Sequence, residues 1–220
     1  MIKIPYDAKV ALHYNQLQHN DNRNEPYLDD KRNNQLGILL TNLPRRSTRK
    51  TLTDLGSGLG LWSAMLSPYF AQIVSIEPND YLREKQKDLF HRLHIENVDL
   101  YPDSMPDCID KINGEAALLS DCIGYVDDWL DVYNKLLQDQ HLQWIVISGG
   151  PDDDRLDNGE PTNTRHGSIN SKRPLDSGDE WRMKNIAEEQ GWATKMFDIM
   201  KDEIADEGSD TDRWLLILER

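Results

Sequence analysis

Three glycines at alternate positions, Gly56, Gly58 and Gly60, stand between an apolar run and a helical pattern, with Asp54 two residues ahead of them. Such a turn lets backbone approach a ligand closely, but glycines alone do not say which ligand. The acids narrow the choice. A turn built for a pyrophosphate aims bare amides and a helix N-terminus at anionic oxygens, where a carboxylate just before the glycines would be repelled. Asp54 therefore suits a ligand with a cationic end, directly or through water. The pattern is Gly-x-Gly-x-Gly, with Leu61 where the dinucleotide fingerprint needs its last small residue. No Gly-Lys-Ser/Thr follows, so a P-loop reading fails. Glu77 stands twenty-three residues beyond Asp54, at the end of the β-branched run Ile73-Val74-Ser75-Ile76. An acid there is placed to accept hydrogen bonds from a ribose diol.

The stretch Asp54-Leu55-Gly56-Ser57-Gly58-Leu59-Gly60, followed by Val74-Ser75-Ile76-Glu77-Pro78, resembles the first two motifs of the class I S-adenosylmethionine (SAM)-dependent methyltransferases. The resemblance covers residues 51–150, with the last helix and strands matching the family order more loosely. It implies SAM as cofactor. The residues expected to bind it are Asp54, Gly56, Ser57, Gly58 and Gly60 on the loop, and Glu77 with Pro78 after the second strand. In that family an acid after the third strand binds the adenine amino group, and Asp103 with Ser104 occupies the matching place. The fourth strand ends Leu119-Ser120-Asp121-Cys122, whose family counterpart lines the methyl-transfer end of the pocket, so Asp121 joins the expected cofactor contacts.

Transfer from a sulfonium is an in-line displacement that depends on alignment, and a general base helps when the acceptor is a hydroxyl or ammonium. Asp121 and His166 are the residues named for that role, with Tyr125 a further candidate near the strand ends. A lone loop histidine is more often a bystander, and Tyr125 and Trp129 equally suit core positions. Ser120-Asp121-Cys122-Ile123 lacks the two prolines of DNA amino-methyltransferases, and Ile147-Ser148-Gly149 lacks the late-strand lysine of RNA ribose methyltransferases. The expected reaction is methylation of an O or N atom of a small molecule. A protein side chain as acceptor, or a non-catalytic SAM-fold interaction module, is the alternative. No metal ligand is assigned; a magnesium ion held by Asp121 with Asp152, Asp153 or Asp154 is the less favoured route.

Those residues need a scaffold, and the chain after residue 50 supplies one. Strand-like runs at 51–55, 73–76, 98–101, 116–119 and 142–147 alternate with helical patterns at 62–69, 81–93 and 127–137, the signature of a parallel sheet with helices on both faces. The rhythm stops at Gly149-Gly150-Pro151. A polar segment to residue 179 follows, carrying Arg155, Arg165, His166, Lys172 and Arg173, and is expected to be a substrate loop or lid. A helix at 180–190 then precedes strands at 194–200 and 213–218. No helix separates that pair, so it is expected to be antiparallel. The expected fold is α/β: a three-layer sandwich with a seven-stranded, mostly parallel sheet, its last strand antiparallel, and helices on both faces. One domain spans 1–220, with an N-terminal helical cap at 1–50 (helices near 6–19 and 28–43), a SAM-binding core at 51–150, the loop at 151–179 and a terminal helix and strand pair at 180–220.

Bulk properties restrict the partners. The 220 residues carry 25 Lys/Arg against 39 Asp/Glu, a formal charge of −14. Nine of those cations but only five of the acids fall in residues 1–50, so the remainder is strongly acidic and repels a phosphate backbone. Nucleic acid is accordingly an unfavoured acceptor, and the basic run Arg45-Arg46-Ser47-Thr48-Arg49-Lys50 is read as a solvated loop. No apolar run approaches the ~20 residues of a membrane span, and no signal sequence opens the chain, so the expected location is the cytoplasm. Cys108 and Cys122 lack metal or CxxC spacing and are read as reduced thiols. The acceptor and the oligomeric state carry no signature in the sequence.

Overall fold

The computed structural model describes residues 35–44, 49–109, 112, 114–120, 122–126, 128–149, 178–200 and 213–220. Seven strands form one sheet: β1 (Thr51–Leu55), β2 (Gln72–Ile76), β3 (Val98–Tyr101), β4 (Ala116–Ser120), β5 (Trp144–Gly149), β6 (Ala193–Met200) and β7 (Arg213–Glu219). Their spatial order is β3-β2-β1-β4-β5-β7-β6. The first five run parallel, and β7 lies antiparallel between β5 and β6. The expected mostly parallel, seven-stranded α/β sandwich is the observed one.

Strand periodicity divides the core in two. Leu55, Ile76, Leu119, Ile147 and Leu216 point to one face, covered by α4 (Trp129–Gln138) and α5 (Asp179–Glu189). Leu52, Ile73, Leu118, Val146 and Leu215 point to the other, covered by α1 (35–41), α2 (Leu61–Leu66) and α3 (Asp80–Arg92). Both faces are covered, so the inner strands read as nearly continuous apolar runs; β5 is buried along its whole length.

The helices begin where polar side chains can satisfy their first amides. Asn79 accepts from the N–H of Tyr81 and of Leu82, and Asp128 accepts from Asp131 N–H. The sequence pattern for 62–69 merges two elements: α2 stops at Leu66, and Ser67–Tyr69 tightens into a 3-10 turn with Pro68 near its start. The fifth strand begins two residues later than its apolar run, because Gln143 and Trp144 N–H both converge on the Glu115 carbonyl at the strand entrance. Of the N-terminal helices, only 35–41 falls among the described residues, docked where Trp144 Nε1 donates to the Asn42 carbonyl (3.0 Å). The helix expected near 6–19 and the loop at 151–177 lie outside them.

Candidate functional site

Strand order reverses between β1 and β4, and in open parallel sheets a ligand crevice forms at the carboxyl ends of strands at such a switch. The glycine loop leaves β1 at that place. All three of its glycines have positive φ, at 65°, 57° and 74° for Gly56, Gly58 and Gly60. Their surroundings differ. A Cβ on Gly56 would sit 2.7 Å from Cys122 Cβ, and one on Gly60 would sit 2.8 Å from Phe90 Cζ and 2.9 Å from Gln86 Cγ. Gly58 faces open space, with nothing within 4 Å of its ideal Cβ. Gly56 and Gly60 are glycines because protein packs against them, whereas Gly58 leaves room on the crevice side.

Glu77 is buried at the end of β2, and its two oxygens grip backbone. Oε2 accepts from Gly58 N–H and Oε1 from Asn79 N–H, each at 2.9 Å. A carboxylate accepts through both oxygens, and here both are directed at backbone amides flanking the loop. Arg83 Nη1 donates to the Glu77 carbonyl at 2.6 Å, and Glu77 N–H donates to the Tyr101 carbonyl at 3.1 Å, tying β2, β3 and α3 together at the crevice rim.

Asp54 is 1% exposed and points into the face covered by α2. Ser63 Oγ donates to its Oδ2 at 2.6 Å, and the Ser63 backbone N–H donates to it as well. Ser63 is the third residue of α2, whose N-cap Gly60 has no side chain, so a carboxylate from β1 caps the helix from outside it. Burial pushes the Asp54 carboxyl up to about 6; the Ser63 hydrogen bonds oppose the shift, and the nearby Glu77 charge adds to it.

Behind the loop lies a polar cluster that the sequence reading did not include. Gln86, fully buried on α3, donates from Nε2 to Ser57 Oγ (2.9 Å) and to the Gly58 carbonyl (2.6 Å). Its Oε1 accepts from Ser75 Oγ at 2.8 Å, and the Ser75 and Ser57 hydroxyls lie 2.7 Å apart. The Ser57 side chain thus faces inward, fastening the loop. On the opposite side Cys122 Sγ donates to the Leu55 carbonyl at 3.0 Å; neither cysteine forms a disulfide. A usable signal existed for Gln86, since it falls at helical spacing with Leu82, Leu89 and Leu93, where a polar residue needs a reason. Nothing local marks Cys122, because its partner Leu55 is distant in sequence, and nothing marks Ser63, because its bond to Asp54 forms only when α2 packs back on β1.

The remaining expected residues separate into two groups. Asp103 is half-buried and Ser104 and Pro78 are exposed, all following the ends of β3 and β2. Asp121, His166 and the carboxylates Asp152, Asp153 and Asp154 lie outside the described residues, as do Arg45 to Thr48. Trp129, the first residue of α4, is buried in the core. No group of three or more potential metal ligands occurs among the described residues, and no described helix is long and apolar enough to cross a membrane.

No family model and no curated protein sequence matches the chain. Solved structures do. The methyltransferase domain of bacterial CtHen1 aligns with a TM-score of 0.59 at 18% identity, covering 86% of this chain and 100% of that one. The DhpI–SAH complex aligns at 0.58 and 14% identity, covering 97% and 96%. The small RNA methyltransferase HEN1 aligns at 0.62 and 15% identity, covering 86% of this chain but 26% of the larger protein. Sheet order, the antiparallel β7 and the loop after β1 define one architecture: this chain has the class I SAM-dependent methyltransferase fold.

Proposed function

We propose that the protein is a SAM-dependent methyltransferase that methylates an O or N atom of a small molecule. One observation carries the cofactor assignment. The buried Glu77 carboxylate is held at the end of β2 by the Gly58 and Asn79 amides, beside the one loop glycine that faces open space. A carboxylate acceptor there fits a ribose diol, whose hydroxyls donate, and repels a phosphate. Asp103 and Ser104, which follow β3, are the residues proposed for the adenine, and Asp54 the proposed source of negative charge under the loop.

When bound, SAM supplies an electrophilic methyl on a sulfonium: the acceptor lone pair forms the new bond, the carbon–sulfur pair returns to sulfur, and the acceptor proton leaves to a base. The residues of this chain proposed for that base are Asp121 and His166. The residues around the glycine loop are proposed for capture and alignment of the cofactor, the larger requirement of an in-line displacement.

An RNA acceptor is the second reading, favoured by the likeness to the small RNA methyltransferase. The charge of −14 weighs against it, because binding a phosphate backbone depends on Lys and Arg displacing counterions. Calorimetric titration with SAM and with its demethylated product tests the cofactor assignment; no heat with either would leave an interaction module of the same fold. Glu77→Ala should then weaken SAM binding by about 1.5–3 kcal/mol, the worth of hydrogen bonds to a charged group, and an unchanged dissociation constant would remove Glu77 from the site.

A further inference from the structure

We propose that Gln86 is a positioning residue for the cofactor: a buried amide that sets the orientation of the Gly58–Leu59 peptide before any ligand arrives. The inference rests on the SAM-binding reading of the loop. Gln86 is 0% exposed, so a ligand in the crevice does not touch it. Its effect must pass through the groups it holds.

The hydrogens in the cluster can all be placed. The two Gln86 amide protons go to Ser57 Oγ and the Gly58 carbonyl, the single Ser75 hydroxyl proton is shared between Gln86 Oε1 and Ser57 Oγ, and the Ser57 hydroxyl donates to the Ile76 carbonyl at 3.3 Å. No amide flip is permitted, since a reversed Gln86 would aim its oxygen at the Gly58 carbonyl 2.6 Å away. With Glu77 fixing the Gly58 N–H, both peptide units beside the Gly58 Cα are held by side chains, one from the end of β2 and one from α3. Gly58 sits at φ 57°, a region where glycine is as comfortable as elsewhere, and these two contacts act together with the turn hydrogen bond from Gly60 N–H to the Ser57 carbonyl (2.9 Å) in selecting it.

Peptide planarity makes the consequence directional. In a trans peptide the carbonyl and the following N–H point opposite ways. Drawing the Gly58 carbonyl inward to Gln86 therefore turns the Leu59 N–H away from the buried cluster, and that N–H has no hydrogen-bond partner among the described residues. It is a donor prepared for a ligand acceptor such as the carboxylate of the cofactor's amino-acid end. The unbound protein has already met the orientational cost of presenting it.

Gln86→Met keeps the side chain's length and removes its three hydrogen bonds. The expected result is a protein that still folds, with a lowered melting temperature from the stranded polar groups and, in the absence of ligand, faster amide exchange concentrated in residues 56–60 beyond the change elsewhere in the sheet. The dissociation constants for SAM and for its demethylated product should rise about tenfold, which corresponds to ~1.4 kcal/mol. A folded variant with wild-type exchange in 56–60 and affinity within twofold would overturn the proposal. If wild type itself binds neither ligand, the SAM reading fails, while the exchange comparison still decides whether Gln86 sets the loop. Should Gln86→Met not fold, Ser75→Ala frees the amide oxygen and removes the contact with Ser57 Oγ while leaving both Gln86 donors in place; a rise of about threefold in dissociation constant with faster 56–60 exchange supports the positioning role, and no change in either sinks it.

Discussion

At the residue scale, Asp54 carries two demands that pull in opposite directions. Its place before the glycines suits a cationic ligand, yet its carboxylate is buried against α2 and engaged by Ser63, with its pKa raised to about 6 from the ordinary 3.8. A carboxyl raised in the folded state binds a proton there that the unfolded chain has already lost. Its contribution to stability is therefore fully present below about pH 4 and is lost as pH rises through 6. The loss is on the order of 3 kcal/mol, at ~1.4 kcal/mol per tenfold change in proton affinity. Asp54→Asn lacks the titration and still offers an oxygen to Ser63. Denaturant midpoints of wild type and Asp54→Asn measured from pH 4 to 7 should show the wild type losing ground to the variant as pH rises; parallel curves would mean that Asp54 titrates normally.

At the scale of elements, the loop is clamped from three sides, by Cys122 after β4, Glu77 after β2 and Gln86 with Phe90 on α3. This predicts different outcomes for two neighbouring substitutions. Gly60→Ala meets Phe90 and Gln86 and a left-handed backbone together, costing ~2–5 kcal/mol of stability from strain plus overpacking. Gly58→Ala meets the backbone term alone, ~1–2 kcal/mol, but places a methyl in the open crevice. Thermal melts should rank Gly60→Ala well below Gly58→Ala, while calorimetry should find SAM binding lost in the folded Gly58→Ala protein; equal melts for the two would contradict the packing assignment. Across the sheet, the buried Tyr133 hydroxyl donates to the Met183 carbonyl at 2.7 Å, joining α4 to α5. Burial raises that phenol's pKa, so it stays neutral and available as a donor. Tyr133→Phe strands the carbonyl and should lower stability by ~1–3 kcal/mol, read as a shifted denaturant midpoint with unchanged slope.

For the molecule as a whole, the glycine loop is tied to groups from or following β1, β2, β4 and α3, so the proposed cofactor binding there should stabilise the entire cooperative unit rather than one edge. A ligand at one hundred times its dissociation constant adds ~2.7 kcal/mol to the folded state. For a chain of this size that corresponds to a rise in melting temperature of roughly 5–10 °C. A thermal scan with the demethylated cofactor checks this, and an unmoved transition would argue against binding at the loop. The acidity of residues 51–220 acts at the same scale, through a summed field that disfavours anionic acceptors before any contact forms.

The strand and helix periods, the turn glycines and the spacing from Asp54 to Glu77 are local properties, and each was readable from the chain because it depends on residues near one another in sequence. They determined the α/β sandwich, the antiparallel terminal pair and the glycine turn after β1. Which neighbours fill the space around that loop depended on strand order. Setting β4 beside β1 brings Cys122 against Gly56, sixty-six positions away. Packing α3 on the same face as Asp54 places Gln86 behind Gly58, and inserting β7 between β5 and β6 follows from hydrogen bonding that no sequence period encodes. Asp54 is the clearest case. Its type and position pointed toward a ligand, and only the packing of α2 against β1 decided that its carboxylate also caps a helix, because a side chain's direction is set by what surrounds it in three dimensions.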